Sequence, residues 1–527
     1  MQYELSILTL SIIAWSKILL VLTIAGFFYL YLKVRRPWAF ALFFSIMIAA
    51  FYLFMSFPLQ KMLWGNNGDE MFILALLGQA LFDNPFSDFY YNHLPTFYPP
   101  LYFWGTGIFS RLFAQNAVTA AKAGVTLTIF FWFAGTYFWA RFYKLHIASK
   151  KVVLNWNNYL PLIFSFLFFA LVDFNDIVLK PYEVVTAMWA VLWLGFFAHE
   201  IAQPSWMRKH YLFFGISGGL IFLTYYFWWL LLLPVLLVLV LAQKEKFAPL
   251  KKVCWTGLIM FLVSTPFLIP LFASYRFGIE NWQAFFFVPT DFNSFLPYTQ
   301  FSWKLAIVLF GIAGLIFFYK EKLVQSNVWL LGMMFLYQLV SIVRFLLGKF
   351  PVQAAKPFLF LGSAVIALGA TLMIVELWKK YITGREKAFQ QKCMIVAAIL
   401  SVPFLPMASF IDDPIVRDRI EKGFVAPEAV ELASFLREQV PDAAQRTWLS
   451  SGIPDLNAYV SMHYYIAHNP HFSHHAARYS ERMQKIRELA QADETKFALL
   501  LDEMGVDAIV LYRDSSEATY PLLFWQN

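Results

Sequence analysis

Apolar runs close to bilayer-spanning length recur from residue 7 to residue 411, separated by short loops in which Lys and Arg collect. A helix needs about 20 mostly apolar residues to cross the hydrocarbon core. On that measure the runs predict spans at roughly 7–31, 38–59, 117–140, 152–172, 184–201, 211–226, 227–242, 253–273, 302–319, 328–347, 357–377 and 393–411. The continuous run 211–242 is divided near Tyr225–Trp229, because a single crossing there would break the alternation of the basic loops. The first run is too long for the hydrophobic stretch of a signal peptide and lacks a small-residue cleavage site, so it reads as a retained span. After Phe410 the pattern changes to charged, helix-periodic stretches, "APEAVELASFLREQV" and "SERMQKIRELAQADETKFALLLDEMG", and then a short strand in "VDAIVLYRD". The expected fold is a polytopic α-helical membrane protein of about 12 spans over residues 1–411. A small C-terminal extracytoplasmic α/β domain follows over residues 412–527.

Charge sets the orientation. The basic clusters around Lys33, Arg141, Arg208, Lys244, Lys320 and Lys379 hold 20 Lys and Arg, against seven in the loops on the other side. The positive-inside rule therefore puts those six loops in the cytoplasm. It also explains the net charge of +8 without nucleic acid, since the cations are scattered through short loops. "YPPLYFWGTGIFSRLFAQN" is nearly long enough to cross, but counting it would reverse every later loop. Residues 60–116 are thus expected to form one outer loop, with an interfacial helix starting after Pro99–Pro100. Composition agrees: 60% of residues are hydrophobic and 14% charged, where a soluble chain carries about a quarter charged. Cys254 and Cys393 both fall on the cytoplasmic side, which argues against a disulfide or a thiolate metal site.

The candidate chemistry lies on the outer face. Asp69 and Glu70 follow span two; Lys180, Tyr182 and Glu183 ("LKPYEVV") precede span five; Arg276, Glu280 and Asp291 precede span nine; Arg344, Lys349 and Lys356 flank the turn after span ten. A carboxylate at the membrane surface can act as general base on a sugar hydroxyl. Lys and Arg at that depth can hold a lipid phosphate and stabilise it as it leaves. Phe97, Tyr98, Tyr102 and Trp104 would give an aromatic wall suited to a sugar ring or a polyprenyl tail, with His93 a further substrate contact. Each group also has a plainer explanation. Asn67 or Asp69 caps a helix, the lysines snorkel, and boundary aromatics form a belt. Arg344 is expected to be partly buried, some turns before the end of its span. His463, His468, His471, His474 and His475 match no metal-ligand motif, and an exposed loop is their plainest reading.

"GDEMFILALLGQALFDNPFSDFYYNHLPTFYPPLYFW" resembles the first outer loop of the galactan arabinofuranosyltransferases of the GT-C superfamily. There an acidic pair is followed, some thirty residues on, by an aromatic-Tyr-Pro-Pro run. "LKPYEVVTAMW", "GLIFLTYYFWW", "AAKPFLFLG" and "LNAYVSMHYYIAHNPHFSHHAARYSERM" are similar to later segments of that family. The resemblance implies a GT-C fold in a bacterial plasma membrane, with the active site on the extracytoplasmic side. It also implies a polyprenyl-phosphate sugar donor and an inverting displacement that needs no cofactor, with a divalent metal left open. On that pattern Asp69 matches the base and Glu70 its neighbour, while Arg344, Lys356 and Lys180 would meet the donor phosphate. Tyr182, Glu183 and the 93–104 group would contact substrate. The acceptor, a glycan, lipid or protein, stays open, because the chain is shorter than the arabinan-building relatives. A transporter or flippase of lipid-linked precursors is the rival reading. Such proteins use broken helices and charges near the midplane.

Overall fold

The apolar runs fold into helices throughout the computed structural model. It describes residues 5–34, 36–63, 69–148, 159–275, 278–280, 302–349, 355–386, 388–393, 396, 406–451 and 454–511. Among the described residues seven helices are long and apolar enough to cross a membrane, or eight if a sharply bent pair counts as one span. The chain is therefore a polytopic helical membrane protein, but the expected number of twelve spans does not stand. Two expected spans are too short for a crossing, Leu160–Leu171 with 12 residues and Trp303–Phe317 with 15. The 211–242 run breaks where expected, at Tyr225, but its halves Arg208–Thr224 and Tyr226–Leu241 meet at 115°. Most of the 393–411 span lies outside the described residues, as do Arg276 and Asp291.

The chain divides into two compact units that do not follow a cut at residue 411. The first comprises Met1–Met55, Val125–Ser264 and Phe287–Asp418; the second comprises Ser56–Gly124, Thr265–Phe286 and Arg419–Asn527. In the first, Pro181–Ile201 is the central helix. Pro181 suits its first turn, and every residue except Trp189 and His199 is buried, as expected of a helix that is apolar all round. Trp303–Phe317 packs along Ser363–Tyr381 with almost no side chain between them. A Cβ on Gly314 would sit 2.0 Å from the Gly369 carbonyl oxygen. Backbone contact of this kind is how membrane helices associate when no hydrophobic gain drives them together.

The second unit joins the 56–124 segment to the tail. Asp69–Phe82 packs on Leu101–Ser110, which begins after Pro100 as anticipated. A Cβ on Gly78 would lie 2.0 Å from the Asn457 carbonyl, so only glycine allows the tail to approach this helix so closely. The tail contributes a three-stranded parallel sheet in the order β2-β1-β3, with β1 at Thr447–Ser451, β2 at His463–Tyr464 and β3 at Ala508–Leu511. Trp448 pairs with Tyr464 on one side and with Ala508 on the other. Helices Glu428–Gln439, Tyr479–Ala490 and Glu494–Met504 follow the expected periodicity, and the last ends at Gly505 in the left-handed conformation.

Candidate functional site

In the first unit the sequence "LKPYEVV" places Lys180 between a short helix, Phe174–Leu179, and the start of the central helix. One turn on, the side chain of Glu183 is 1% exposed and its Oε2 lies 2.8 Å from Lys356 Nζ. Lys356 also donates to the Tyr225 hydroxyl at 3.0 Å and sits 5.4 Å from the centre of that ring. Tyr225 is the residue at which the bent helix pair breaks; it is extended, with φ −161° and ψ 96°. Tyr182 lies 6.0 Å from the Tyr225 ring. Trp228 Nε1 donates to the Glu183 carbonyl at 3.3 Å and to Thr186 Oγ1 at 3.2 Å, which fixes the first turn of the central helix. Three residues picked from sequence, Tyr182, Glu183 and Lys356, thus meet at one break. Lys356 is not an isolated cation there, because a buried carboxylate already balances it.

Two neighbours need separate description. Arg344 is half-buried in the last turn of Lys322–Leu346, nearer the helix end than expected. Asp176, passed over in the sequence, sits in the short helix before Lys180. Burial and then the Asp173 carboxylate raise its pKa to about 7, against the pull of Lys180 and Lys304. Two acids and a lysine within eight residues, Asp173, Asp176 and Lys180 in "DFNDIVLKPYE", were the signal that could have found it.

In the second unit Asp69 and Glu70 open the Asp69–Phe82 helix. Asp69 is half-buried and Glu70 is 1% exposed. Carboxylates in a first turn are stabilised by the positive end of the helix, so helix entry and a functional role remain compatible. The aromatic group behaves as a packed core more than as an open wall. Phe72 stacks on Phe472 at 4.9 Å and meets Tyr98 edge-on at 4.9 Å. Tyr102 is 8% exposed, and Trp104 packs on Phe86 while its indole N–H donates to the Pro85 carbonyl.

The expected exposed histidine loop is mostly interior. His463, His468 and His474 are buried, and residues of the 83–97 stretch meet each of them. His468 Nδ1 bonds the Tyr90 hydroxyl, His463 Nε2 lies 3.2 Å from Asp83 Oδ2, and His474 meets Phe97 at 5.4 Å. Burial lowers the pKa of His468 to about 4 and that of His474 to about 3, so both are neutral imidazoles at pH 7. Among the described residues no group of three or more His, Cys, Asp or Glu is placed to hold a metal ion.

Asp88 is the acid that sequence reasoning missed in this unit. It is fully buried, its Oδ1 accepts the Tyr90 and Tyr91 amide protons at 2.9 Å, and burial raises its pKa to about 7. His93 lies in the same loop, with Nε2 3.5 Å from Arg482 Nη2, and burial followed by the Arg482 charge lowers its pKa.

Comparison with protein-family models finds no match. Comparison with curated proteins finds none either.

Proposed function

We propose that the chain is a glycosyltransferase of GT-C type embedded in a bacterial plasma membrane. It would move a sugar, arabinofuranose or another pentose or hexose, from a polyprenyl-phosphate donor to a cell-envelope glycan, lipid or protein. The observation that carries this reading is the acidic pair opening Asp69–Phe82, with Asp69 half-buried at the first helical position of a membrane-embedded chain. Asp69 takes the acceptor hydroxyl proton and Glu70 supports it, while the hydroxyl attacks the anomeric carbon from the face opposite the phosphate. In the first unit, Lys356, Lys180 and Arg344 are the cations assigned to the donor phosphate, and Glu183 holds Lys356 until a phosphate competes for it. The active face and the tail belong to the extracytoplasmic side on the Lys and Arg bias. The reading requires Asp69→Asn, purified and folded, to lose at least a hundredfold in transfer from a polyprenyl-phosphate sugar. Full transfer by that variant would remove Asp69 from the role of base.

One observation favours the rival reading, a transporter or flippase of lipid-linked precursors. A helix pair bent by 115° whose break carries a tyrosine bonded to an ion-paired lysine is the kind of discontinuity that transporters build sites on. Transbilayer movement of the lipid by reconstituted protein, with no covalent product, would decide for it.

A further inference from the structure

The second unit contains a cavity of about 480 Å³, within the range of small-molecule sites. Its walls carry charges of both signs, and most of them are already paired. Arg478 lies 3.3 Å from Glu481, and Lys485 lies 2.6 Å from Glu503. Arg482 differs, because among the described residues no carboxylate comes within ion-pair distance of it. Its guanidinium is nevertheless immobilised. Nε donates to the Ala477 carbonyl at 2.7 Å and Nη1 to the Tyr465 carbonyl at 2.6 Å. Its Cζ lies over the rings of Tyr91 and Tyr465, 5.1 and 4.8 Å from their centres. A fork held in this way, with its charge unmatched, has already lost the side-chain freedom that anion binding would otherwise cost.

The rest of the lining points to the same kind of ligand. Arg478 is held at φ 51° and ψ 53°, the one non-glycine residue with positive φ among the described residues. Strain of that kind collects at ligand sites. His93, neutral because burial and Arg482 lower its pKa, offers a hydrogen-bonding edge beside the fork. Glu481 and Glu503 can accept from hydroxyl groups.

We propose that this cavity binds a small, hydroxyl-bearing oxyanion, a sugar-sized molecule carrying one carboxylate or phosphate. Arg482 takes the anion, while His93, Glu481 and Glu503 meet its hydroxyls. This goes beyond the donor-phosphate role assigned to Lys356, and it stands whether or not the glycosyltransferase reading survives.

The test uses the full chain in detergent and isothermal titration with glucuronate, glucose 6-phosphate and glucose, with thermal unfolding as the check on folding. Both anions should bind saturably and glucose at least tenfold more weakly. Arg482→Gln should weaken the anions at least tenfold. Ala476→Trp, which fills the cavity and leaves every charge in place, should abolish binding even if the arginine variant fails to fold. Phosphatidylinositol in nanodiscs separates the sources: competition with the soluble anions assigns a lipid-borne ligand, and no competition assigns a soluble one. If neither anion nor the lipid headgroup binds, or if folded Ala476→Trp keeps full affinity, the proposal is overturned.

Discussion

Replacing Glu183 with Gln should destabilise the protein, and the pair it forms with Lys356 sets the size of the effect. At 2.8 Å and an effective dielectric of about 20, the attraction is on the order of 6 kcal/mol. Each buried ion loses several kcal/mol of hydration, so the intact pair adds little net stability. Removing one partner is another matter, since it leaves a desolvated charge behind and costs about 3–5 kcal/mol. Lys356 keeps the Tyr225 hydroxyl and its side chain is 19% exposed, so the lower end, about 3 kcal/mol, is expected. Glu183→Gln combined with Lys356→Met should recover about 2 kcal/mol of that loss. A double-mutant cycle on the full chain in detergent, followed by tryptophan fluorescence during unfolding, reads the coupling directly. If the two substitutions add to within about 0.5 kcal/mol, the buried pair is not the contact that holds the helix break to the central helix.

Gly314→Val should lower stability by about 1–3 kcal/mol, because its Cβ meets the Gly369 carbonyl, whereas Gly332→Ala, facing open space, should not; thermal unfolding of both variants checks this. Asp88 holds a proton in the folded state that the unfolded chain releases above its ordinary value of 3.8, so its burial costs stability progressively as pH rises from about 4 to about 7. Asp88→Asn should flatten the fall in Tm across that window, and an unchanged slope would refute the assignment. His468 works in the opposite sense: stability falls as pH drops from 6.5 towards about 4, and His468→Asn should remove part of that acid limb in the same titration. If the tail is extracytoplasmic, a cysteine at exposed Glu494, with Cys254 and Cys393 replaced by Ser, should react with an impermeant maleimide in intact cells.

Helix positions were legible because each run announces itself locally. The start after Pro99–Pro100 and the tail helices were placed from period and punctuation, and the break at Tyr225 from the alternation of the basic loops. The number of spans was not legible, since an apolar run does not reveal how much of it stays helical; Leu160–Leu171 and Trp303–Phe317 stop short of a crossing. Long-range pairing was hidden in the same way. Phe72 and Phe472 stack although 400 residues separate their numbers, and nothing in either neighbourhood names its partner. That is why aromatic residues expected at an interface and histidines expected in water prove to be packed on one another. Glu183 and Lys356 were each singled out as outer-face charges, but their direct contact beside Tyr225 could not be read from spacing.

The assembly of the second unit carries a cost in time. The Tyr90 carbonyl accepts from the Tyr464 amide at 2.7 Å, and Asn457 reaches back to the Phe89 carbonyl at 3.3 Å. Both contacts close loops of more than 350 residues, and contacts that distant form late. While the chain is being synthesised, the 83–98 loop must wait, with Asp88 hydrated and its aromatic side chains uncovered, through the insertion of most of the helices. The loop is then a natural client for whatever shields unfinished nascent segments. A chain stalled before residue 457 would carry every apolar helix of the first unit and still present an unfinished, adhesive surface.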